Sequence, residues 1–470
     1  MADFPRIAVG TTQRQADGTA VLWALLDVLS SAGIRVQSYR SRACPTSRDG
    51  ATPITGQPPR HLDTWLMSPA TCHSLFWQGC RACDLAMVEG SFDAAHRDAA
   101  TDGGSLDTLC DWLDLPRLAI VDVRPLGGCC LPQRPRSIDG LLLDGVNDIR
   151  DACRLQTILE SVWNVPVLGW LGRVDALREQ IARLAPGRRP EVDLCKALGR
   201  ELSAHVKLER ICRLATERPL RWKHDGDSLA CAAAAFGPPA AAATTLHHPS
   251  QSVRVAVACD EAFGGYFPET LELLEARGAT LCEFSPLHDD RLPPDVDVVY
   301  LGCGHPERFA ERLSQNDCLS LSLKSHLCGG RPIYAECGGL AYLCHQIELP
   351  GGESWPMVGA LPLSAQFDET TAAPAAAEIT LSSNTWLGEA PLRFRGYVDP
   401  HWTLAPRGAA EAAVAEPGCE LDIVCRHRAI GSRMYLDFAA YPALLERFLR
   451  PHRPRCTVQV FANHPPITAL

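Results

Sequence analysis

The chain has 470 residues, too many for one hydrophobic core, so two or three domains are expected. Hydrophobic residues make up 46% and charged residues 21%, the balance of a globular protein and not of a disordered one. A formal net charge of −10, with no dense patch of Lys or Arg, excludes non-specific nucleic-acid binding and an anionic membrane surface, and leaves small-molecule chemistry or a protein partner.

The start, MADFPRIAVG, has no basic region leading into a long apolar stretch, and no later segment has the length of a membrane helix, so a cytoplasmic protein is expected. The 21 cysteines are scattered through apolar segments, as at Cys195, Cys212, Cys259 and Cys282, where a small hydrophobe serves. No disulfide framework is expected in a reducing compartment. The close pairs are Cys80 and Cys83 (CRAC) and Cys129 with Cys130. Without a second pair at zinc spacing they predict no metal site.

In chain order, 6–11 (RIAVGT) reads as a buried strand, 19–32 as an amphipathic helix closed by Gly33, and 34–39 as a strand, which is the opening unit of a parallel α/β sheet. Apolar runs at 84–89, 117–122, 139–144 and 166–168 alternate with helical patterns such as 105–114 and 150–162. Residues 1–223 are therefore expected to form one doubly wound α/β domain. The segment 224–251, rich in Ala and Pro, reads as a linker. A second α/β domain is expected over 252–470, with strands at 253–258, 280–284, 297–301 and 332–335, and helices at 268–277, 306–328 and 441–449.

In the second domain Arg331–Leu343 (RPIYAECGGLAYL) has the outline of a nucleophile elbow: an apolar strand delivers Cys337 onto a Glu-Cys-Gly-Gly corner. Its glycines allow close approach of a substrate, so Gly338, together with Gly304 in LGCGHPE (301–307), is a candidate donor to an oxyanion. Turn chemistry also explains those glycines, and the elbow fits either a structural thiol or a reacting one. A reacting cysteine requires a base; His345, His401 and His427 lie downstream, none at a clear strand end, and each reads as a surface residue.

The loop GTTQRQADGT at 10–19 occupies the place of a phosphate-binding loop. Gly10, Thr11 and Thr19 suit that role, but Asp17 or Gly18 stands where the lysine belongs. Glu89 at a strand end is placed to hold Mg²⁺ or its waters, or simply to be solvated.

Along most of its length the chain resembles the glutamine-dependent cobyrinic acid a,c-diamide synthase family. The resemblance is carried by GQPPRHLDTWLM (56–67), VEG (88–90), VRVAVACDEAFGGYFPETLELLE (253–275), GHPERFAERLSQN (304–316), RPIYAECGGLAYL (331–343), MVGALPL (357–363) and YPALLERFL (441–449). It implies a dethiobiotin synthetase-like domain that uses ATP and Mg²⁺ to phosphorylate a tetrapyrrole carboxylate, followed by a class I glutamine amidotransferase-like domain with a cysteine nucleophile. Against that pattern the phosphate loop lacks its Lys, an acidic block reads SRACPTS (41–47) with Cys44 and Ser47, the loop after Glu89 reads SFDAAHRD (91–98), and SRMYLDF (432–438) puts Tyr435 at the position of the catalytic His and Asp437 at the next His. With an ordinary pKa near ~10, a tyrosine is no base for a thiol at neutral pH.

Scaffold blocks kept and two catalytic centres depleted lead to the expectation of a catalytically degenerate member. It would bind a corrinoid or sirohaem-type tetrapyrrole, or pair with an active paralogue or with itself as a homodimer. In that reading Gly10, Thr11, Thr19 and Glu89 are vestigial, and no cofactor is firmly expected. The alternatives are an active ATP-dependent amidoligase fed by glutamine or ammonia, and a different hydrolytic reaction at Cys337.

Overall fold

The computed structural model describes residues 4–218 and 252–450, apart from 14–15, 45–47, 93–102, 127–130, 132–133, 136, 185–186, 370–373, 382–383 and 407–422. The expected linker, Cys129, Cys130 and Ser47 lie outside the described residues.

The first sheet has seven parallel strands: β1 (Arg6–Thr11), β2 (Val36–Arg40), β3 (Arg60–His61), β4 (Leu85–Ser91), β5 (Arg117–Asp122), β6 (Gly140–Val146) and β7 (Val167–Gly172), in the order β3-β2-β4-β1-β5-β6-β7. All six residues of β1 are buried, because helices cover both faces of a parallel sheet and leave no side for polar alternation. On β1, Ile7 and Val9 join the helix Thr19–Ser31 in one core, whereas Ala8 faces the opposite core.

The second half opens with β8 (Arg254–Ala258), β9 (Phe263–Gly265), β10 (Thr280–Phe284), β11 (Val298–Leu301), β12 (Cys303–Gly304) and β13 (Ile333–Glu336). Three short strands follow, β14 (Gln346–Glu348), β15 (Ser354–Pro356) and β16 (Leu363–Phe367), then β17 (Ala375–Leu381), β18 (Leu392–Val398) and β19 (Trp402–Pro406). The last are β20 (Ile423–Arg426), β21 (Ala429–Ser432) and β22 (Met434–Tyr435). Its main sheet runs β10-β8-β11-β13-β21-β20, parallel except for the β20–β21 pair.

One expectation needs correction. The helix predicted over 306–328 is a 3₁₀ turn at Pro306–Phe309 and two helices, Ala310–Gln315 and Asp317–Cys328. Asn316 makes the break: its backbone leaves the helical region (φ −88°, ψ 67°), its side-chain oxygen caps the Leu319 amide at 3.1 Å, and its Nδ2 donates to the carbonyls of Pro286 and Asp289.

The core on the Ala8 face is continuous between the two halves; Cys337, Tyr397 and Tyr435 from the second belong to the same cluster as Leu62 and Leu66 from the first. Polar contacts reinforce it. Tyr397 donates its hydroxyl to Asp63 at 2.6 Å and accepts from the Gly104 amide, and Arg60 pairs with Glu272 at 2.6 Å. Among the described residues no helix is long and apolar enough to cross a membrane.

Candidate active site

The elbow forms as its sequence predicts. β13 ends at Glu336, the helix Gly338–Leu343 begins one residue later, and Cys337 between them is held at φ 48°, ψ −111°. A non-glycine residue in that region is strained and persists only because its surroundings fix it. Here the fixing is visible: the Cys337 amide donates to Ser432 O at 2.7 Å, and its thiol to Arg433 O at 3.4 Å. The two glycines after it are required by contact. A Cβ on Gly338 would lie 2.6 Å from Gly304 O, and one on Gly339 would lie 2.4 Å from Leu301 O. Gly304 and Gly338 are thus brought together, with the Gly304 carbonyl against the Gly338 Cα.

The thiol is closed in. Cys337 is 1% exposed, and burial holds its pKa well above the usual thiol value. Glu336 is also buried and is pushed up to about 7 by burial, although the Leu436 amide and the hydroxyls of Tyr334 and Tyr300 donate to it. Tyr435 does not face the thiol as a base. Its hydroxyl donates to Ala43 O of the first domain at 3.2 Å, its ring stacks on Tyr397, and burial raises its pKa further. Asp437 caps the 3₁₀ turn Phe438–Ala440 through the Ala439 amide, and burial beside Glu269 pushes it up to about 8.

Of the downstream histidines, His345 and His427 are exposed, as expected. His401 corrects the expectation: it is half-buried between β18 and β19, with Nδ1 2.6 Å from Asp399 Oδ1. The Asp399 amide donates to Arg433 O, the carbonyl that also receives the Cys337 thiol. Sequence reasoning missed a second pair altogether. His305 Nδ1 lies 3.0 Å from Glu307 Oε1, and its Nε2 is buried without a hydrogen-bond partner. It directly follows Gly304, and the signal, a histidine inside LGCGHPE, was there to be read.

At the other centre, Gly10 and Thr11 are buried at the end of β1, and Thr19 opens the following helix. Its first-turn amide, which would face a phosphate, instead donates to the Asp17 carboxylate at 3.0 Å. Gln13 folds back onto β5, donating to Asp122 O at 2.7 Å and accepting from the Asp122 amide at 2.8 Å. Glu89 is bound to the Arg40 guanidinium at 2.8 Å. Arg124 grips Asp122 with two hydrogen bonds, and Arg178 pairs with Asp144, which burial still pushes up to about 6. These residues do not fit ATP·Mg²⁺: there is no lysine in the loop, a carboxylate takes the helix terminus, and the strand-end carboxylate is neutralised by an arginine. No group of three or more His, Cys, Asp or Glu side chains suited to a metal ion occurs among the described residues.

A cysteine on a strained strand-to-helix corner, flanked by a glycine segment and carried on a mostly parallel sheet behind a P-loop-like α/β domain, defines an amidotransferase-type protein. Residues 254–397 match the CobB/CobQ-like glutamine amidotransferase domain. The chain belongs to the cobyrinate a,c-diamide synthase family. It is 30% identical over 386 residues to the cobyrinate a,c-diamide synthase of Synechocystis sp. (79% of this chain, 77% of that one). It is 29% identical over 409 residues to that of Syntrophotalea carbinolica (84% and 85%), and 26% identical over 482 residues to that of Dehalococcoides mccartyi strain CBDB1 (97% and 100%). A solved glutamine amidotransferase is 18% identical, with a TM-score of 0.32 over 42% of this chain and 96% of that one, and adds nothing to the fold described above.

Proposed function

We propose that this chain is a family member that has lost ATP-dependent amidation and binds a tetrapyrrole of the corrinoid or sirohaem type, alone, as a homodimer, or against an active paralogue. The observation that carries the loss is the pairing at the phosphate loop: the Thr19 amide is taken by Asp17, and Glu89 by Arg40. Protein groups hold both positions that a polyphosphate and its cation would need. The tetrapyrrole rests on the family alone, since its members act on that class. Calorimetry with ATP·Mg²⁺ and absorbance titration with sirohaem and a corrinoid test the two halves separately. No ATP heat together with a macrocycle spectral shift is expected. ATP affinity in the micromolar range would overturn the first half, and an unchanged spectrum with every macrocycle would overturn the second.

One observation favours a second reading, residual amide hydrolysis at Cys337. His305, oriented by Glu307, is a base-type pair beside the glycine segment. Ammonia release from glutamine that disappears in His305→Gln would support this reading, and a blank assay on the unaltered chain would remove it.

A further inference from the structure

Two arginines cross the seam between the domains in opposite directions. Arg42, from the loop after β2, lies over the Tyr397 ring of β18, with Cζ 5.0 Å from the ring centroid. Arg395, two residues earlier on β18, lies over the Trp65 ring of the first domain at 4.6 Å. Asp63 ties the two stacks together, because it accepts from the Trp65 amide at 2.8 Å, from the Ala43 amide at 2.8 Å and from the Tyr397 hydroxyl at 2.6 Å. Along β18, Arg393 and Arg395 are exposed while Phe394 and Gly396 are buried, so both arginines stand on the face that Tyr397 shares.

A guanidinium stacked on a ring still presents the N–H donors around its edge, where a carboxylate binds in plane. Among the described residues the Arg395 side chain uses only Nε, which donates to Glu378 Oε2 at 2.9 Å, and that of Arg42 only Nη2, which donates to Pro374 O. The Arg395 side chain is 49% exposed, and Arg393 adds a third cation 3.7 Å from Glu378. The Trp65 indole N–H is a further donor with no partner among the described residues. Three guanidinium groups thus gather against the Glu378 and Asp63 carboxylates, on a chain whose net charge is −10. An exposed ion pair such as Arg395 with Glu378 is worth little, so a ligand carboxylate can compete for the arginine.

We propose that Arg42 and Arg395 form a binding site for the carboxylate-bearing edge of a planar macrocycle. This site, which rests on the tetrapyrrole reading above, places the ring edge across the seam with a carboxylate on each guanidinium, so that binding bridges the two domains. Trp65 and Tyr397 are positioning residues, since each ring fixes the plane of one guanidinium.

The experiment uses the full chain and uroporphyrin, a tetrapyrrole with carboxylates around its rim. The unaltered protein is titrated by Soret absorbance. In parallel its arginines are modified with phenylglyoxal, with and without uroporphyrin, and mapped by mass spectrometry. The expected result is a saturable Soret shift with Arg42 and Arg395 protected, while Arg154, exposed on the first domain, is modified as before. Arg42→Gln and Arg395→Gln should each weaken binding about tenfold, and Arg154→Gln should leave it unchanged. Uroporphyrin that binds both variants as tightly as the unaltered chain, and protects neither arginine, would overturn the site and leave the tetrapyrrole reading standing. Absence of any shift with uroporphyrin would overturn the site as well, while the sirohaem and corrinoid titrations above decide that reading by themselves. Protection by citrate or inorganic phosphate equal to that by uroporphyrin would overturn the macrocycle as the occupant. The protection map is read on the unaltered chain and requires no variant to fold.

Discussion

Cys337 shows what a single residue can and cannot specify. Its place on a Glu-Cys-Gly-Gly corner is legible because only glycines tolerate the approach of Gly304 O to Gly338 and of Leu301 O to Gly339. A Gly338→Ala substitution is expected to cost about 1–3 kcal/mol through overpacking against a backbone carbonyl that cannot rotate away. A thermal midpoint equal to that of the unaltered chain would show that the segment gives way. Whether Cys337 meets water was not legible, since the thiol is 1% exposed and its partner, Arg433 O, is distant in sequence. Tyr435 is similar. Its place in SRMYLDF is read directly, but its hydrogen bond to Ala43 O spans the two domains. Tyr435→Phe removes that bond and should lower stability by about 1 kcal/mol in urea unfolding; an unchanged midpoint would mean that stacking on Tyr397 alone holds the ring.

At the scale of elements, the strands of both parallel sheets are largely visible as apolar runs, because burial on two faces leaves a continuous hydrophobic signature. The helix over 306–328 was misread because periodicity is blind to one capping residue: Asn316 satisfies the Leu319 amide and two loop carbonyls better than it would continue a helix. The end of β13 carries a pH prediction. The folded-state pKa values of Glu336 (about 7) and Asp437 (about 8) lie above the ordinary 4.5 and 3.8. The folded state therefore binds more protons than the unfolded one between those limits. The stability contributed is full below about pH 4 and is lost as pH rises through 7 and 8, at up to about 1.4 kcal/mol per pH unit for each group. Asp437→Asn should flatten the upper part of that decline in a series of urea melts. A decline of the same slope in the variant would remove Asp437 as its source.

For the whole molecule, the contact between the domains is the least predictable part and the most consequential. Asp63 accepts from the Ala43, Trp65 and Leu66 amides and from the Tyr397 hydroxyl, and it is fully buried. Asp63→Ala would strand these donors and is expected to cost roughly 2–5 kcal/mol. In calorimetry the domains should then melt apart, whereas a single unchanged transition would show that the shared apolar core alone couples them. Arg60→Ala, by contrast, breaks a pair whose Glu272 side chain is 38% exposed, and should cost no more than about 1 kcal/mol.

The sequence by itself determined that this is an α/β protein resembling the cobyrinic acid a,c-diamide synthase family, because glycine corners, buried strand runs and the order of sequence blocks are written along the chain. Only the tertiary structure decided what surrounds the phosphate loop and the elbow. Asp17 on the Thr19 amide, Arg40 on Glu89, and the Arg433 carbonyl on the Cys337 thiol are contacts set by the path of the backbone in three dimensions, and the spacing of residues along a chain carries no record of them.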